Sequence, residues 1–586
     1  MQYIPGRDSD TGGNMDSTRR RHRWLVTMAV CVGLGVVAVS CASGETSNSG
    51  DAGSTPGTIS ADLTKEDNSP PQTGGKIVFG LNAESDGFAP SVGRWAASTY
   101  IIGFSIMDPL AAYDDQLKPQ PYLAKEITSN PDFTEWTIKL REGVLLHDAK
   151  PVDAALVKKN LDTQKNSPLT GEALAFVSQI SAPDNLTVVV KMNKPWSTFP
   201  HTLTAQVGAI ASGDMIDGGA EGNKKPVGSG PFIFDQWTPG KNLTVHKNPT
   251  YWRKGYPYLD SIDFQVLPDI QARGASLESG SVNIFETNDA NQILSYTEKA
   301  KNDAGSGVQI FTDQKVDSAK IFVGLNTSKP PFDDILARQA VAYSGNVVQL
   351  SEQAYHGVFP PSYGPFGQNS PFFVKSPDYP TFDPVKGKQL ADEYEKKHGK
   401  KLEFTANIIP VPEVTQVAQV LQQQLAEVGI KVNLNSQEQA KLIVDALTGN
   451  FEATGFILFG SPHLDREYVF ISSPPKPNGQ LSLNFTRLGI NADGTKNADN
   501  DKIIAAMDKA RTTDDFDKQK EQYAIVQAEM AKNLNFLFLV QQTSAIVYDK
   551  NLRGAKVYAL PDPSGGNGKA GLPTPQTFTF NLWIAK

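Results

Sequence analysis

The two cysteines of this 586-residue chain, Cys31 and Cys41, both lie close to the N-terminus. Everything beyond Cys41 must therefore fold without a disulfide, a thiolate metal site or a cysteine nucleophile. The remaining length is ample for burying a large apolar core. We therefore expect a large fold that is held together by packing alone.

The first 41 residues are typical of a secretory signal. Four arginines between residues 19 and 23 precede an uncharged, mostly apolar run over 24–39, which ends at Ser40 and Cys41. A membrane span needs about 20 apolar residues, so this run is marginal for one. A small residue before a cysteine resembles a bacterial lipobox, although Ala38 and Ser40 depart from its commonest residues. We predict a lipoprotein signal peptide over 1–41 with lipid on Cys41; an ordinary signal peptide with a chance cysteine is the alternative.

Two details of export stay open. The paired arginines are faintly similar to a twin-arginine signal, so either that route or the general secretory route is possible. Residues 1–14 are an upstream extension if Met15 is the true start.

Residues 42–75 are dominated by Ser, Thr, Gly, Asp, Asn and Pro. Such a segment buries too little apolar surface to offset its ordering entropy, so we predict a disordered tether. A flexible chain of this length spans about 30 Å. The protein would then sit on the outer face of the cytoplasmic membrane, anchored by its lipid.

The body is acidic. The whole chain carries a formal charge of -8, and the leader has five arginines and three aspartates, so removing its net +2 leaves about -10. Nucleic-acid binding normally needs a basic patch, and the charge argues against such a partner. No second apolar stretch is long enough to span a bilayer.

Strand and helix signals alternate through the body. Strand-like sequences predict strands over 76–81, 136–140, 186–192, 243–246, 262–266 and 430–434, of which 136–140 alternates with a two-residue period. Helical spacing predicts helices over 152–162, with Asp153 near the start, and over 416–428, closed by Gly429. Mixed elements without a short repeat indicate a large α/β protein with more than one lobe.

One segment resembles a known family. Residues 140–154, Leu-Arg-Glu-Gly-Val-Leu-Leu-His-Asp-Ala-Lys-Pro-Val-Asp-Ala, are similar to the signature of the family-5 extracellular solute-binding proteins. These are the peptide, dipeptide and nickel binders of ABC importers. The family pattern is Leu-Arg-x-Gly-Val-x-Phe-His-Asp-Gly-x-Pro before a helix, from which this chain departs at Leu146 and Ala149.

Further fragments resemble the family in the same order. They are Gly-Ser-Gly-Pro-Phe at 228–232, Asn-Pro-Thr-Tyr-Trp at 248–252, Leu-Asp-Ser-Ile-Asp-Phe at 259–264, Leu-Asn at 325–326, Pro-Phe-Asp-Asp at 331–334, Arg-Gln-Ala at 338–340, Asp-Pro at 383–384 and Gln-Leu-Ala-Glu-Val-Gly-Ile at 424–430. The resemblance covers the chain from about residue 76 to residue 586.

The resemblance implies a periplasmic-binding-protein-like α/β fold of two lobes with the ligand cleft between them. The first lobe would comprise 76–312, with an accessory subdomain over about 107–230, and the return segment 548–586. The second lobe would be 313–547. Closure around the ligand would be a hinge motion.

No catalytic or metal-binding pattern stands out. His147 and Asp148 look like a catalytic pair in isolation, but in the family this turn is structural. The other histidines lack metal spacing, and no Gly-x-Ser-x-Gly elbow is present. We expect no enzyme activity, no cofactor and no metal.

Two segments supply candidate ligand-binding residues. The loop after the first strand carries Glu84, Phe88, Arg94, Trp95 and Tyr100, which suit a planar or acidic ligand. The alternative is that Trp95 and Tyr100 simply pack under this loop. By family position, Tyr363 and Phe366 would add aromatic walls.

The other segment, 456–468, offers the candidates Phe456, Phe459, His463, Asp465 and Arg466. Arg466 is able to clamp a ligand carboxylate, unless it forms a surface salt bridge instead.

Peptide-binding members of the family carry an aspartate here that pairs with the α-amino group of the peptide. In this chain that position falls at about Phe459 or Gly460, so the usual anchor is missing unless Asp465 takes its role. An ammonium buried without a counter-charge is costly. The cargo is therefore an oligopeptide by family majority, or a non-peptide acidic or aromatic solute by these departures.

The leading hypothesis is a monomeric binding protein that delivers its ligand to ABC permease subunits. The alternative is the same fold used as a regulatory or scaffolding envelope lipoprotein, which loss of the amine anchor would also suit. An exported hydrolase is a third possibility, with no motif behind it.

Overall fold

The computed structural model describes residues 62–64, 69–302, 307–312, 319–458, 460, 463–556, 558–571 and 578–586, without the side chains of residues 62, 63, 440 and 466. The predicted signal peptide, Cys41 and residues 42–61 of the predicted tether lie outside these ranges. Asp62–Leu63, inside the predicted tether, forms a short strand that pairs antiparallel with Phe311 and Ile310. This part of the predicted tether is therefore paired with a strand at the edge of a sheet.

The largest sheet in the described residues has eight strands. In spatial order they are Asp62–Leu63, Val308–Thr312, Ala545–Asp549, Ile284–Thr287, Lys76–Leu81, Ser261–Val266, Asn242–Lys247 and Phe232–Thr238. We call this the first sheet. Its three parallel-paired strands are Ile284–Thr287, Lys76–Leu81 and Ser261–Val266. Ile284–Thr287 is buried at every residue, and Lys76–Leu81, whose sequence is apolar after Lys76, is buried over most of its length.

A second sheet, of five strands, lies in the predicted second lobe. Its strands are, in spatial order, Lys431–Ser436, Glu403–Ile408, Ala453–Leu458, Ala319–Leu325 and Phe536–Gln542. The strand membership of the two sheets supports a division into two lobes, which we retain as a proposal.

Smaller sheets complete the β structure of the described residues. A four-stranded antiparallel sheet has the order Ala124–Ser129, Glu135–Leu140, Thr187–Met192 and Val177–Asp184. Two-stranded ribbons pair Ala111–Tyr113 with Pro119–Pro121, Leu552–Arg553 with Trp583–Ile584, and Ala559–Pro561 with Asn567–Ala570.

Helices cover the sheets. The α-helices are Ala97–Ile106, Ala154–Lys165, Phe199–Thr202, Gly213–Asp217, Gly219–Gly222, Ile270–Glu278, Ala290–Asn302, Ile335–Ser344, Val347–Tyr355, Pro384–His398, Pro412–Glu427, Gln439–Thr448, Tyr468–Ser472, Asp501–Ala510 and Phe516–Asn533. The described helices include none that combines the length and the apolar character needed to cross a bilayer.

The helices and strands predicted from local sequence patterns agree closely with those in the structure. All six predicted strands are present, with ends that shift by at most two residues. Asp153 caps Ala154–Lys165, since its carboxylate accepts from the backbone of Leu156. The helix predicted from residue 416 begins earlier, at Pro412, a position where a missing N–H costs nothing. Gly429 follows its end with a φ of 84°, as a glycine terminator should.

The family-like fragments build one buried polar cluster. Asp108 is 1 % exposed, and its carboxylate accepts from Trp252 at 2.8 Å, Ser229 at 2.9 Å and Tyr251 at 3.0 Å. Burial raises the pKa of Asp108 to about 6, although the three donors oppose that rise. The conspicuous Tyr-Trp and Gly-Ser-Gly fragments thus satisfy a buried carboxylate.

The histidine turn belongs to the same region. His147 Nε2 lies 3.0 Å from the carbonyl oxygen of Gly230, and burial lowers the pKa of His147 to about 4. A Cβ on Gly228 or Gly230 would lie 2.5 Å from backbone atoms of Ile106. The glycines therefore allow two backbones to approach, and the neutral imidazole joins them as a structural donor.

Candidate ligand-binding crevice

The first sheet is parallel at its centre. Lys76–Leu81 pairs in parallel with Ser261–Val266 on one side and with Ile284–Thr287 on the other. The carboxyl ends of these three strands therefore open on the same edge. Ligands of open α/β sheets bind outside such carboxyl edges.

The second sheet repeats this arrangement. Glu403–Ile408 pairs in parallel with Lys431–Ser436 and with Ala453–Leu458. Its carboxyl edge carries the loops that begin at residues 409, 437 and 459, the last of which contains the predicted ligand-binding segment.

The two carboxyl edges meet at a short link. Phe536–Gln542 ends in the second sheet and Ala545–Asp549 begins in the first, so two residues, Thr543 and Ser544, separate them. Ala545 pairs with Thr287 at the carboxyl edge of the first sheet. On the other side Lys320 pairs with both Gln541 and the carboxyl-terminal Leu458. Three extended peptide units span about 10 Å, so the two carboxyl edges lie close together, and we take the space between them as the candidate crevice.

Two predicted residues are fixed beside the first edge. Glu84 accepts from the indole of Trp237 at 3.2 Å and from the backbone of Gly240. Phe88 is fully buried and packs edge-to-face on Trp237, with 5.1 Å between ring centroids. Both oxygens of Glu84 therefore already have donors within the chain.

Of the next three predicted residues, one lies at the surface and two are buried in the core. Arg94 is exposed and its Nε lies 2.6 Å from Asp86 Oδ2. Trp95 and Tyr100 are buried edge-to-face at 5.3 Å, and both pack on Phe104. In this structure Trp95 and Tyr100 lie under the loop, which is the alternative that the sequence left open.

In the predicted second lobe, the predicted aromatic residues differ in burial. Tyr363 is half-buried, with the Lys375 ammonium 5.2 Å from its ring centroid. Phe366 is buried against Tyr523 at 5.5 Å. Phe456 is half-buried in Ala453–Leu458 and lies 5.2 Å from Phe485. Phe459 and the Arg466 side chain lie outside the described part of the chain.

Asp465 is already paired. Its Oδ1 accepts from Arg511 Nε, and its Oδ2 accepts from the Trp196 indole at 2.8 Å. The two charged side chains are 2 % and 5 % exposed, so this is a buried ion pair. Asp465 therefore has no free oxygen with which to replace the missing amine anchor.

An aromatic cage surrounds the same cation. The Arg511 guanidinium lies 3.5 Å from the ring centroid of Tyr468, 4.4 Å from that of Phe176 and 4.6 Å from that of Trp196. Phe176 and Trp196 come from the predicted accessory subdomain, whereas Tyr468 and Arg511 come from the predicted second lobe. The cage therefore joins the two.

His463 takes part in the same junction. Its ring centroid lies 4.5 Å from that of His201, a residue of Phe199–Thr202, and its imidazole contacts Tyr523 Oη at 3.2 Å. Burial lowers the pKa of both histidines. The sequence did not indicate Trp196, His201 or Arg511, because each acts through partners that are distant along the chain.

The sequence matches the family described as bacterial extracellular solute-binding proteins, family 5 Middle, over residues 118–475. The chain belongs to this family. Members of this family bind solutes outside the cytoplasm and work with ABC permeases. They are binding proteins, not enzymes.

Two relatives show how similar this chain is in sequence to known binding proteins. The oligopeptide-binding protein AppA of Bacillus subtilis (strain 168) is 25% identical over 567 residues, which cover 93% of this chain and 98% of AppA. The glutathione-binding protein GsiB of Pectobacterium atrosepticum is 28% identical over 364 residues, which cover 61% of this chain and 68% of GsiB.

Solved structures agree on the fold. AppA in complex with a nonapeptide superposes with a TM-score of 0.71 at 24% identity, covering 88% of this chain and 100% of AppA. AgaA from A. tumefaciens R10, in complex with agropinic acid, has a TM-score of 0.71 at 23% identity, covering 87% and 99%. These likenesses confirm the predicted periplasmic-binding-protein-like fold; they do not select a ligand.

Proposed function

We propose that this chain is the capture component of an ABC importer, held at the outer face of the cytoplasmic membrane by a lipid on Cys41. It would bind one small solute in the crevice between its two sheets as a monomer and pass that solute to permease subunits. The observation that carries the proposal is the meeting of two parallel-strand carboxyl edges at the link Thr543–Ser544. Family membership supports it.

The relatives bear on the class of solute. Two are named for oligopeptides and for glutathione, and AgaA was solved in complex with agropinic acid, which leaves peptides and other small solutes as candidates. The occupied Asp465 supports a binding mode that differs from an aspartate-anchored peptide amine. We therefore propose a peptide or small peptide-like solute whose amine, where present, is held elsewhere.

Binding is tested on the secreted chain, purified without denaturation. Native mass spectrometry and thermal unfolding would be run with a tryptone digest, with glutathione and with an opine panel. A ligand at 100 times its Kd stabilises the folded state by about 2.7 kcal/mol, which raises Tm by about 2–3 °C for a body of ~500 residues. Absence of retained mass and of any Tm shift with all three panels would refute capture.

The anchor is tested separately. Metabolic labelling with an alkyne fatty acid should mark the wild-type chain and leave Cys41→Ser unmarked, with the variant recovered in the soluble fraction. Equal membrane recovery of both would refute the lipid on Cys41 without affecting the binding proposal.

A further inference from the structure

Glu286 is a buried carboxylate on the carboxyl edge of the first sheet. It is the third residue of Ile284–Thr287 and is 4 % exposed. Its neighbour Thr287 pairs with Ala545, the residue directly after the link between the two sheets. Glu286 therefore lies next to the link between the two sheets, at the border of the candidate crevice.

The neighbours of Glu286 are neutral. Asn82, at the end of Lys76–Leu81, donates through Nδ2 to Glu286 Oε2 at 3.1 Å. Ser98 donates to Asn82 Oδ1 at 2.7 Å, which fixes the orientation of that amide. The Ser544 hydroxyl in the link also hydrogen-bonds to Glu286. The carboxylate thus connects the strand edge to the crossing chain.

No basic side chain of the described residues comes within 4.0 Å of this carboxylate, which is unusual for a buried charge. Arg273 acts on it only from a greater distance, while its Nη1 donates to the carbonyl oxygen of Leu267 at 2.5 Å. Burial raises the pKa of Glu286 to about 7, so the folded protein holds the acid partly protonated at neutral pH.

The buried carboxylate of Asp465 shows the contrast. Asp465 has a guanidinium and an indole on its two oxygens. Glu286 has hydrogen-bond donors but no cation. Buried carboxylates in proteins are normally paired, so the site lacks one positive charge.

We propose that Glu286 supplies the counter-charge for a cationic nitrogen of the ligand, a primary or secondary ammonium bound at the carboxyl edge of the first sheet. The inference rests on the proposed capture function and narrows its solute class. Asn82 would hold Glu286 in place, and the ammonium would donate to the carboxylate.

The proposal includes a proton balance. Free Glu286 is about half protonated at pH 7, and pairing with an ammonium requires the carboxylate form. The neutral acid and the ammonium therefore become an ion pair with release of one proton. The expected release approaches one proton per site at pH values well below the pKa of Glu286 and falls towards zero at pH values well above it.

The first experiment uses a tryptone digest and the same digest after acetylation of its amines. Native mass spectrometry should detect compounds retained from the untreated digest and few from the acetylated one. Glu286→Gln, which keeps the shape and removes the charge, should weaken binding of the retained compounds about 100-fold.

The control variant is Asp263→Asn. Asp263 is another buried carboxylate of the first sheet and accepts from Asn242 at 2.7 Å and from Gln265 at 3.1 Å. It lies on Ser261–Val266 and touches neither Asn82 nor Ser544. Its variant should bind like wild type and keep the proton release, measured by calorimetry in buffers of different ionisation enthalpy.

The experiments distinguish failure of the Glu286 inference from failure of the capture proposal. Retained compounds without a basic nitrogen, equal retention after acetylation, or unchanged affinity in Glu286→Gln would overturn this inference while leaving capture intact. A loss in Glu286→Gln without any proton release from wild type would also overturn it, since the effect would then be structural. If no panel binds at all, capture itself fails.

Discussion

The buried pair Asp465–Arg511 gives the sharpest test of how the second lobe is held. Arg511→Met removes the cation and leaves the Asp465 carboxylate, 2 % exposed, with the Trp196 indole as its remaining donor. Breaking a buried ion pair from one side costs about 3–5 kcal/mol because an uncompensated charge stays buried. We therefore expect Arg511→Met to lower the free energy of unfolding by that amount.

The neutral double variant Asp465→Asn with Arg511→Met should be less damaging than the sum of its parts. Asp465→Asn alone leaves a guanidinium in a cage of Tyr468, Phe176 and Trp196, which retains cation–π stabilisation and should cost about 1–3 kcal/mol. The two single losses then overlap, with a coupling of about 2–3 kcal/mol in a double-mutant cycle.

Urea unfolding followed by tryptophan fluorescence measures all four proteins, because Trp196 lies in the cage. Lys388→Met is the matched control: Lys388 and Asp392 form an exposed pair along one helix, and its loss should leave the urea midpoint unchanged. Additive single losses, or an Arg511→Met midpoint equal to that of Lys388→Met, would refute the role assigned to the buried pair.

Two further predictions concern the histidine turn and its glycines. His147 has a pKa of about 4 in the folded protein and about 6.5 when unfolded, so its contribution to stability falls as pH drops through that window, by roughly 2–3 kcal/mol between pH 6.5 and pH 4. Asp108 and Glu286, whose pKa values are raised, act in the opposite direction, so the test is the difference between wild type and His147→Gln in urea titrations at each pH. The same pH dependence in both proteins would contradict the assignment. Gly230→Ala brings a Cβ to 2.5 Å from Ile106 and should cost about 1–3 kcal/mol, whereas Gly455→Ala meets nothing within 4 Å and should be neutral; equal urea midpoints for the two would show that the close approach is not required.

Much of the fold could be predicted because its signals are local. Alternating apolar residues mark strands such as Glu135–Leu140, and the Asp153 cap and the glycine after Pro412–Glu427 mark helix ends. The ordered fragments then gave the family. A short strand such as Asp62–Leu63 carries too little apolar periodicity to be separated from a tether, because its pairing comes from a distant edge.

The site was harder to predict because its determinants are long-range. Trp95 and Tyr100 resemble ligand contacts in the sequence, yet both are buried in the core. Whether such a ring contacts a ligand or the core depends on how the neighbouring helix packs, and the sequence of the loop does not show this. Arg511 approaches Asp465 across 46 residues and Trp196 joins them across 269. Glu286 lies in a short, buried strand, and its sequence position does not show that no cation pairs with its carboxylate.

The two buried carboxylates bear together on how a ligand amine could be held. An ammonium placed at Asp465 would have to displace Arg511, which is bonded to the carboxylate and enclosed by three aromatic rings, so binding there would cost the cage as well as the pair. An ammonium placed at Glu286 displaces only a proton, and near neutral pH that exchange costs little. The physical chemistry therefore favours an amine at the first sheet, whereas Asp465 in the loop after Ala453–Leu458 serves packing through its pair with Arg511.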